Sequence, residues 1–480
     1  MARDVALGAD SSTQSVKVVA LDVQTGEIVS EGRARHSGAD IQDPRDWWAA
    51  LAAASRACMT PDLRPLAISI GGQQHGCVTL DAAGEPVRPA PLWNNVDAAA
   101  DAERLNAEAD FAAAVGTRLV SSVTIAKLAH LARTDPGDLR RTAAVCLPHD
   151  YLTYRLTGNL VSDRGDASGS GWWSPAEDRD RRDLLALAVG EANAGRLQLP
   201  RVLGPNEEAG SLLPGPAAEL GLPAGIPVGP GSGDNMEAAL GIGANAGEMV
   251  ISLGTSGTAF AITTFATHDE TGEVCGFADA TGCFLPLACM LNCTRVVDAI
   301  AGLLGVERID ALDRAHRLPP GASGLLMTPY FEGERTPNLP RAAGELFGLA
   351  GATASPDLLL RAAVDGVAAG LAYCVEALNR LGIEAGEVTL VGGGSQHPAW
   401  RQAIADATGM TVLVREAGEA AARGAALQAA AIALGAPIAE VIGRWRPPVV
   451  ARVEPRRELR AAFRLGERRA LIDAARERYA

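Results

Sequence analysis

The chain has 480 residues, 48% of them hydrophobic, so it is long enough for two or more domains with substantial cores. Its 57 acidic residues outnumber its 43 lysines and arginines, and the resulting net charge of −14 disfavours nucleic acid or an anionic membrane as a partner. The eight cysteines form no CxxC pair, which disfavours a zinc site or a disulfide framework and predicts buried thiols in a reducing cytoplasm.

The N-terminal segment has an acid on each side of a short apolar run, which favours a strand over a secretory signal. No apolar run is expected to be long enough to cross a membrane. Further strands are predicted over 5–7, 16–21, 66–70, 388–391 and 411–414. They alternate with alanine-rich periodic segments, a pattern typical of an α/β protein. One helix is predicted to follow Asp43 as N-cap with Pro44 at its first position, and another to extend from Ser355 to Gly382.

A weak internal repeat divides the chain. A strand, a tight hydroxyl-rich turn and a second strand are predicted over 5–22 and again over 249–263. Later in each half, at 66–76 and 388–398, a short apolar strand ends in glycines that are followed by glutamine. We therefore expect two related halves joined near 244–248. The tail from about residue 437 is rich in arginine and glutamate, and we expect it to end in a solvated amphipathic helix rather than a binding arm.

The two hydroxyl-rich turns are candidate phosphate sites, because hydroxyls and backbone N–H groups converge there with little obstruction. An ordinary turn rich in turn-forming residues is the alternative for each. Asp10, at the end of the first strand, is a candidate ligand for Mg²⁺ or a cap of its own turn. The turns consist of Asp10, Ser11, Ser12 and Thr13 in the first half, and of Gly254, Thr255, Ser256 and Gly257 in the second.

A second acid lies in a glycine-rich stretch, GPGSGDNMEAALGIG at 229–243. Asp234 has the position of a helix N-cap, with Glu237 three residues later as in a capping box. The alternative is a general base at a strand-to-helix turn, where α/β sheets place their chemistry. The two roles are compatible. A third glycine-rich stretch, VGGGSQ at 391–396, follows a strand, and its backbone is a candidate surface for a flat adenosine.

Motifs along residues 5–435 resemble, in the same order, those of the FGGY carbohydrate kinases. They are GGQQHG, LWNN, LPHDYLTYRLTG, SDRGDASG, GSGDN, SLGTSGT, GERTP and VGGGSQ. The resemblance implies two ribonuclease H-like domains of the actin and sugar-kinase class, closing around a cleft. Residues 1–245 would bind mainly the sugar, and residues 246–480 mainly ATP, with the Arg/Glu-rich helix at the C-terminus.

The resemblance also implies roles for individual residues. Asp234 would be the catalytic base, and Asp10 would act at the Mg²⁺ and phosphate end of the cleft. The remaining roles are contacts with the two substrates. The sugar contacts would be Gln74, His75, Trp93, Asn94 and Asn235, and the nucleotide contacts Thr13, Gly254, Thr255, Gly392, Gly393, Gly394 and Gln396.

The activity implied is ATP-dependent phosphorylation of a ketopentose, with D-xylulose as the leading substrate. The Gln74–His75 pair and the GERTP element favour the family members that act on xylulose over those that act on glycerol. Alternatives are another small sugar or polyol, such as ribulose, a pentitol or gluconate, and an actin-like ATP switch without a sugar. We expect a cytoplasmic protein with a small-molecule sugar as partner, and consider a homodimer. Three residues depart from the family pattern: Ser12, Asn95 and His130.

Overall fold

The computed structural model describes residues 2–36, 38, 40–416 and 418–479. Its elements fall into two halves, each built around one large mixed sheet. The strands of the first half are β1 (Arg3–Ser11), β2 (Ser15–Asp22), β3 (Ile28–Arg35), β4 (Ile41–Gln42), β5 (Leu63–Gly72), β6 (Val78–Leu80), β7 (Ala90–Pro91), β8 (Ala144–Cys146), β9 (Val161–Asp163), β10 (Trp173–Ser174), β11 (Arg179–Asp180), β12 (Arg201–Leu203), β13 (Gly210–Ser211), β14 (Pro227–Val228) and β15 (Ser232–Gly233). Its helices are α1 (Pro44–Cys58), α2 (Ala99–Glu108), α3 (Phe111–Val115), α4 (Thr124–Thr134), α5 (Pro136–Arg141), α6 (Pro148–Thr157), α7 (Arg164–Ala167), α8 (Arg182–Val189), α9 (Glu191–Arg196), α10 (Pro214–Leu220) and α11 (Asp234–Gly241).

The second half begins at β16, after the segment 242–248. Its strands are β16 (Met249–Leu253), β17 (Gly257–Ala261), β18 (Val274–Ala278), β19 (Phe284–Met290), β20 (Leu326–Thr328), β21 (Glu345–Phe347), β22 (Glu387–Val391), β23 (Thr411–Arg415) and β24 (Val449–Val453). Its helices are α12 (Thr294–Leu304), α13 (Arg308–His316), α14 (Pro356–Arg380), α15 (Pro398–Thr408), α16 (Ala420–Leu434), α17 (Ile438–Arg444) and α18 (Leu465–Tyr479), with short 3-10 turns at Ala322–Gly324, Gly393–Gln396 and Arg457–Phe463.

The two large sheets share one topology. In the first, β3, β2 and β1 are antiparallel neighbours, and β5 and β14 continue the sheet in parallel on the other side of β1. In the second, β19, β17 and β16 are antiparallel, followed by β22 and β23 in parallel. The internal repeat predicted from the sequence is therefore confirmed, and so is the expected pair of related halves. All five predicted strands lie within β1, β2, β5, β22 and β23.

The predicted helix boundaries are also confirmed. Helix α1 begins at Pro44, and the side chain of its N-cap, Asp43, accepts a hydrogen bond from the backbone of Arg45. Helix α14 begins directly after Ser355, and the chain turns at Gly382, whose φ of 80° is left-handed. A left-handed residue cannot continue a right-handed helix, which explains why glycine marks this end.

Helices α11 and α16 cross between the halves at very short range. Helix α16 belongs to the second half in sequence, yet it packs on β1 and β5 of the first sheet and along α11. A Cβ atom at Gly424 would lie 1.9 Å from the carbonyl oxygen of Glu237, and one at Gly241 would lie 1.9 Å from that of Ala420. The backbones meet where side chains are missing, and this contact fixes the position of α11.

The membrane expectation is wrong in one respect. Helix α14 is long and apolar enough to span a membrane, with a mean hydropathy of 1.6 over its most apolar window. That window is 89% buried within the protein, so α14 is a core helix that packs between β17, β19 and neighbouring helices. Helices α16 and α17 satisfy the same criterion only as a pair bent by 118°.

The C-terminal helix is present but is not simply solvated. Helix α18 buries Arg468, Ile472 and Ala475, which recur on one side at helical spacing. Ile472 and Ala475 pack with Tyr330 and Tyr373. Because these residues give α18 an inner face, the helix is part of the packing of the second half, while its outer face carries exposed ion pairs such as Arg476–Asp473.

Candidate active site

Asp234 is the first residue of α11 rather than its cap. The N-cap is Gly233, which has an extended backbone and no side chain to offer, and the predicted capping role of Asp234 is therefore wrong. The Oδ1 atom of Asp234 instead accepts a hydrogen bond from Nδ2 of Asn235, at 2.9 Å. The carboxylate lies at the positive end of the helix dipole, where a negative charge is favoured.

The electrostatic surroundings of Asp234 raise its affinity for a proton. Burial is the main cause that raises the pKa of Asp234 to about 7. The negative charges of Asp10 and Asp166 also raise the pKa, and hydrogen bonding with Asn235 lowers it by less. A carboxylate with a pKa near the operating pH combines proton affinity with a large deprotonated fraction. Asp234 thus has the properties of a general base.

Two amide side chains extend the cluster around Asp234. Asn235 donates from Nδ2 to Oε1 of Gln74 at 3.0 Å, and its Oδ1 faces the hydroxyl of Thr258 at 3.5 Å. Gln74 is buried, and its Nε2 has no partner within the described residues. An unpaired buried amide donor costs free energy unless a ligand accepts from it. The Nε2 atom of Gln74 is therefore an unused donor next to Asn235.

His75 has a left-handed backbone, with φ of 64°, which is unusual for a residue other than glycine. Its carbonyl oxygen accepts hydrogen bonds from Oγ1 of Thr124 at 3.2 Å and from Nζ of Lys127 at 3.0 Å. Its ring Nδ1 is 3.0 Å from the carbonyl oxygen of Gly169. These contacts hold the backbone and the ring of His75 in one orientation. Lys127 is buried, and burial lowers its pKa to about 7.

The hydrogen bond to Gly169 decides the protonation pattern of the His75 ring. Burial lowers the pKa of His75 to about 4, with smaller lowering contributions from Lys127 and Arg335, so the imidazole is neutral at pH 7. A carbonyl oxygen only accepts, so the single ring proton is on Nδ1. The Nε2 atom is then a bare acceptor, and it has no protein donor in the described part of the chain. A sugar hydroxyl is a suitable donor.

The first hydroxyl-rich turn joins two of the predicted site residues. Trp93 donates from its indole nitrogen to Oγ1 of Thr13, at 3.1 Å. Ser12 donates to Oδ2 of Asp10 at 2.6 Å, while Oδ1 of Asp10 is buried without a partner within the described residues. One carboxylate oxygen of Asp10 is thus bonded within its own turn and the other is not. Burial raises the pKa of Asp10 to about 6. Asn94, by contrast, is exposed beside this group.

Asp10, near the end of β1, and Asp234, directly after β15, are positioned by strands that lie on either side of β5. In the register of the first sheet, Asp10 lies beside Gly71 of β5, and Ser232 of β15 lies on the other side of Gly71. The two carboxylates therefore lie at the same end of the sheet, where β1, β5 and β15 reach their C-termini. Within the described residues no three His, Cys, Asp or Glu side chains form a metal-binding group. One carboxylate with a free oxygen beside nucleotide phosphates is nevertheless the arrangement that Mg²⁺ commonly uses, so Asp10 fits the predicted ion.

Apart from Thr13, the residues predicted to contact the nucleotide lie in the second half. Thr255 is exposed in the turn between β16 and β17, and the carbonyl of Gly254 is held by the hydroxyl of Thr294 at 2.8 Å, at the start of α12. After β22, Gly392 and Gly393 are exposed, and a Cβ at Gly393 would meet open space. Gly392 and Gly394 instead press their backbones against Leu253, so they bring the loop close to the first strand of this sheet. Gln396 is exposed at the end of the same loop.

A buried cluster of one histidine and three aspartates, which acts on Asp234 through the charge of Asp166, was not predicted as part of the site. His149, at the start of α6, is fully buried, and its Nδ1 is 2.8 Å from Oδ2 of Asp166. Burial alone would lower the pKa of His149, but the acids around the ring raise it to about 10. The Oδ1 atom of Asp166 has no partner within the described residues. The SDRGDASG motif contains Asp166, and that motif was the available signal. The acids around the ring are Asp150, Asp163 and Asp166.

The prediction that all cysteines are buried is wrong for three cysteines of the second half. Cys275, Cys283 and Cys289 are only half-buried, whereas the other five are buried. Cys289 lies opposite Thr258 in the sheet, and the ring of Phe277 is 5.6 Å from that of His75. Strand β18 of the second half therefore borders His75 of the first half.

Comparison with known proteins gives one consistent result. The profile of the N-terminal domain of the FGGY family of carbohydrate kinases matches residues 5–241, and that of the C-terminal domain matches residues 249–433. The xylulose kinase of Streptomyces rubiginosus is 44% identical over 460 residues, covering 93% of this chain and 92% of the relative. That of Streptomyces coelicolor is 44% identical with the same coverage. The crystal structure of the xylulose kinase from Bifidobacterium adolescentis has a TM-score of 0.85 and 36% identity, covering 97% of this chain and 99% of that one.

Proposed function

Because this chain belongs to the FGGY family of carbohydrate kinases, we propose that it transfers the γ-phosphoryl group of ATP to O5 of D-xylulose, yielding D-xylulose 5-phosphate. The observation that carries the substrate assignment is the 44% identity, over 93% of the chain, to proteins named xylulose kinase. The non-enzymatic ATP switch considered from the sequence is not favoured, because the family is one of kinases with a sugar acceptor.

In the proposed reaction Asp234 removes the proton of the attacking sugar hydroxyl. Phosphoryl transfer depends mainly on alignment of acceptor and donor, with one acid taking the acceptor's proton. The backbone before Asp234 packs closely on the first half, because a Cβ at Gly231 would lie 2.4 Å from the carbonyl oxygen of Ile70 and one at Gly233 would lie 2.6 Å from the side chain of Gln74. These glycines therefore let Asp234 stand next to Gln74. The raised pKa of Asp234, about 7, makes the carboxylate a stronger base than an exposed aspartate while it stays largely deprotonated above neutral pH.

The sugar would be oriented by groups whose hydrogen-bonding capacity is unused in the protein. His75 accepts from one hydroxyl through Nε2, and Gln74 donates to another oxygen through Nε2. Asn235, between Gln74 and Asp234, keeps the two in register. Trp93 forms a wall next to Thr13. Asn94 is exposed, so its proposed contact with the sugar would be made at the rim of the site.

The nucleotide would lie along the second half, with its phosphates directed at the turns. Thr255 and the backbone of Gly254 contact the phosphates, as does Thr13 from the first half. The exposed backbone of Gly392 and Gly393 supports the adenosine. Asp10 would hold Mg²⁺, which would supply positive charge to neutralise the phosphate oxygens.

A sugar-panel assay with product identification tests the proposal. ADP release would be measured with D-xylulose, ribulose, xylitol, arabitol and gluconate, and the product phosphate located by NMR. We expect D-xylulose to have the highest kcat/KM and the phosphate to be on O5. Asp234→Asn serves as the inactive control. A higher kcat/KM for gluconate or a pentitol would replace the substrate assignment, and turnover that does not depend on any sugar would overturn the kinase assignment.

A further inference from the structure

The GERTP motif has no role in the function proposed so far, yet it is firmly anchored in the cleft wall. Glu334 is buried and accepts hydrogen bonds through Oε1 from the backbone of Leu291 and Arg335. Its Oε2 accepts from the side chain of Asn292 at 3.0 Å. Thr336 donates to the carbonyl oxygen of Glu273 at 2.8 Å. The residue between them, Arg335, therefore has a fixed backbone position.

The guanidinium of Arg335 lies on the edge strand of the second sheet. Nη1 donates to the carbonyl oxygen of Gly272, and Nη2 lies 3.5 Å from Sγ of Cys275. Only these two of its five N–H groups have partners in the described residues. No carboxylate of the described chain lies within ion-pair distance of it. A half-buried cation with unused donors points to a ligand that supplies oxygens.

The sheet register places this guanidinium at the sugar side of the cleft. Cys275 and Phe277 are two residues apart on β18, so their side chains share one face of the strand. Phe277 packs on the ring of His75 at 5.6 Å. Two backbone groups of β18 also bond to the first half: Gly276 donates to the carbonyl of Gly116 at 2.8 Å, and Ala278 donates to Oγ of Ser168 at 3.1 Å.

The same register separates Arg335 from the phosphate turn. Thr258 is the second residue of β17, just after that turn, and its neighbour on β19 is Cys289. The next strand outward is β18, which carries Cys275. Two strand spacings of about 4.8 Å put β18, whose Cys275 contacts the guanidinium, about 10 Å from the strand that carries the turn. An extended five-carbon sugar can bridge a gap of that size when its terminal oxygens form hydrogen bonds at both ends.

We propose that Arg335 binds the end of the sugar opposite the phosphorylated hydroxyl, donating to the C1 hydroxyl and the C2 carbonyl oxygen of a 2-ketose. This inference rests on the proposed function, since it takes D-xylulose as the substrate and O5 as the acceptor. A 2-ketopentose closes its furanose ring through O5, so phosphorylation of O5 requires the open chain. In the open chain the C2 carbonyl is free, and O1 and O2 are adjacent acceptors that match the fork of a guanidinium.

The test uses Arg335→Met and Arg335→Lys with a pair of sugars, D-xylulose and 1-deoxy-D-xylulose, which lacks the C1 hydroxyl. A hydrogen bond from a charged donor corresponds to about 10- to 100-fold in affinity. We expect Arg335→Met to raise KM for D-xylulose by that factor and to leave KM for ATP within about twofold. The KM ratio of the two sugars should fall towards one, because the variant no longer distinguishes them. Arg335→Lys keeps the charge without the fork and should lie between.

Arg308→Met is the matched control, because Arg308 is an exposed arginine of the same half that pairs with Asp298. Thermal unfolding of each variant establishes that it is folded. An unchanged KM ratio, or a loss in kcat or ATP affinity with an unchanged sugar KM, would overturn the role of Arg335. Failure of the wild-type protein to phosphorylate D-xylulose would instead overturn the proposed function, and this inference with it.

Discussion

Asp234→Asn is the most informative single perturbation, because it separates activity from stability. The amide is close in shape to the carboxylate and can still accept from Nδ2 of Asn235. It cannot take a proton from the sugar, and loss of a general base commonly costs about 10²- to 10⁴-fold in rate. Since Gly233 is the cap of α11, no capping energy is lost with the substitution.

Stability should change in the opposite direction. Burial raises the pKa of Asp234 from the ordinary aspartate value of 3.8 to about 7 in the folded protein, so its charge opposes folding wherever the unfolded chain is ionised. The penalty is absent below about pH 4, grows as pH rises towards 7, and is complete above it. One pKa unit corresponds to about 1.4 kcal/mol. Solvent reaches part of this side chain, so we expect Asp234→Asn to add about 1–3 kcal/mol at pH 8 and almost nothing at pH 4.

The assay combines steady-state ADP release with thermal unfolding at the two pH values. Asp310→Asn, at an exposed acid of α13, is the control and should alter neither quantity. A gain of about 1 kcal/mol corresponds to a Tm increase of about 2–4 °C for a domain of this size. Near-normal turnover in the folded variant would refute the catalytic role, and a lower Tm at pH 8 would refute the electrostatic reasoning.

The other predictions concern the pH profile, the sugar, the phosphates and domain closure. The rate should rise with pH through an acid limb near 7 as Asp234 deprotonates, and Asp166→Asn should move that limb to lower pH by removing a nearby negative charge; an unmoved limb would exclude Asp166 from the electrostatics of the base. His75→Ala should weaken sugar affinity about 5- to 100-fold and ATP affinity little, because a buried hydroxyl loses its acceptor; calorimetry showing equal losses would indicate a structural histidine. Asp10→Ala should reduce turnover much more than sugar affinity, and the reverse pattern would contradict its phosphate-side role. Sugar and an ATP analogue should tighten each other's binding by 5- to 150-fold, the usual range for coupled sites, and reduce the radius of gyration in small-angle scattering; independent binding with an unchanged radius would rule out closure.

Some corrections of the sequence-based predictions have a common physical origin. The capping role of Asp234 was inferred from spacing, but the close contact of α11 with α16 at Gly424 and the extended backbone of Gly233 set where the helix begins. The half-buried thiol of Cys289 lies in an apolar strand, and only the pairing of β19 with β17 shows that its face borders the cleft. Neither contact has a signal in local sequence.

The sequence by itself determined the repeated strand–turn–strand units, the main strands and the helix boundaries at Pro44 and Gly382, because each depends on local periodicity, turn chemistry and backbone preference. It also indicated the family, through motifs in a characteristic order. Only the tertiary structure decided which oxygens and nitrogens are unpaired, that Nε2 of His75 is an acceptor, and that Arg335 of one half and His75 of the other both contact β18. Those properties depend on contacts between residues up to hundreds of positions apart, and on burial that raises the cost of every unpaired charge.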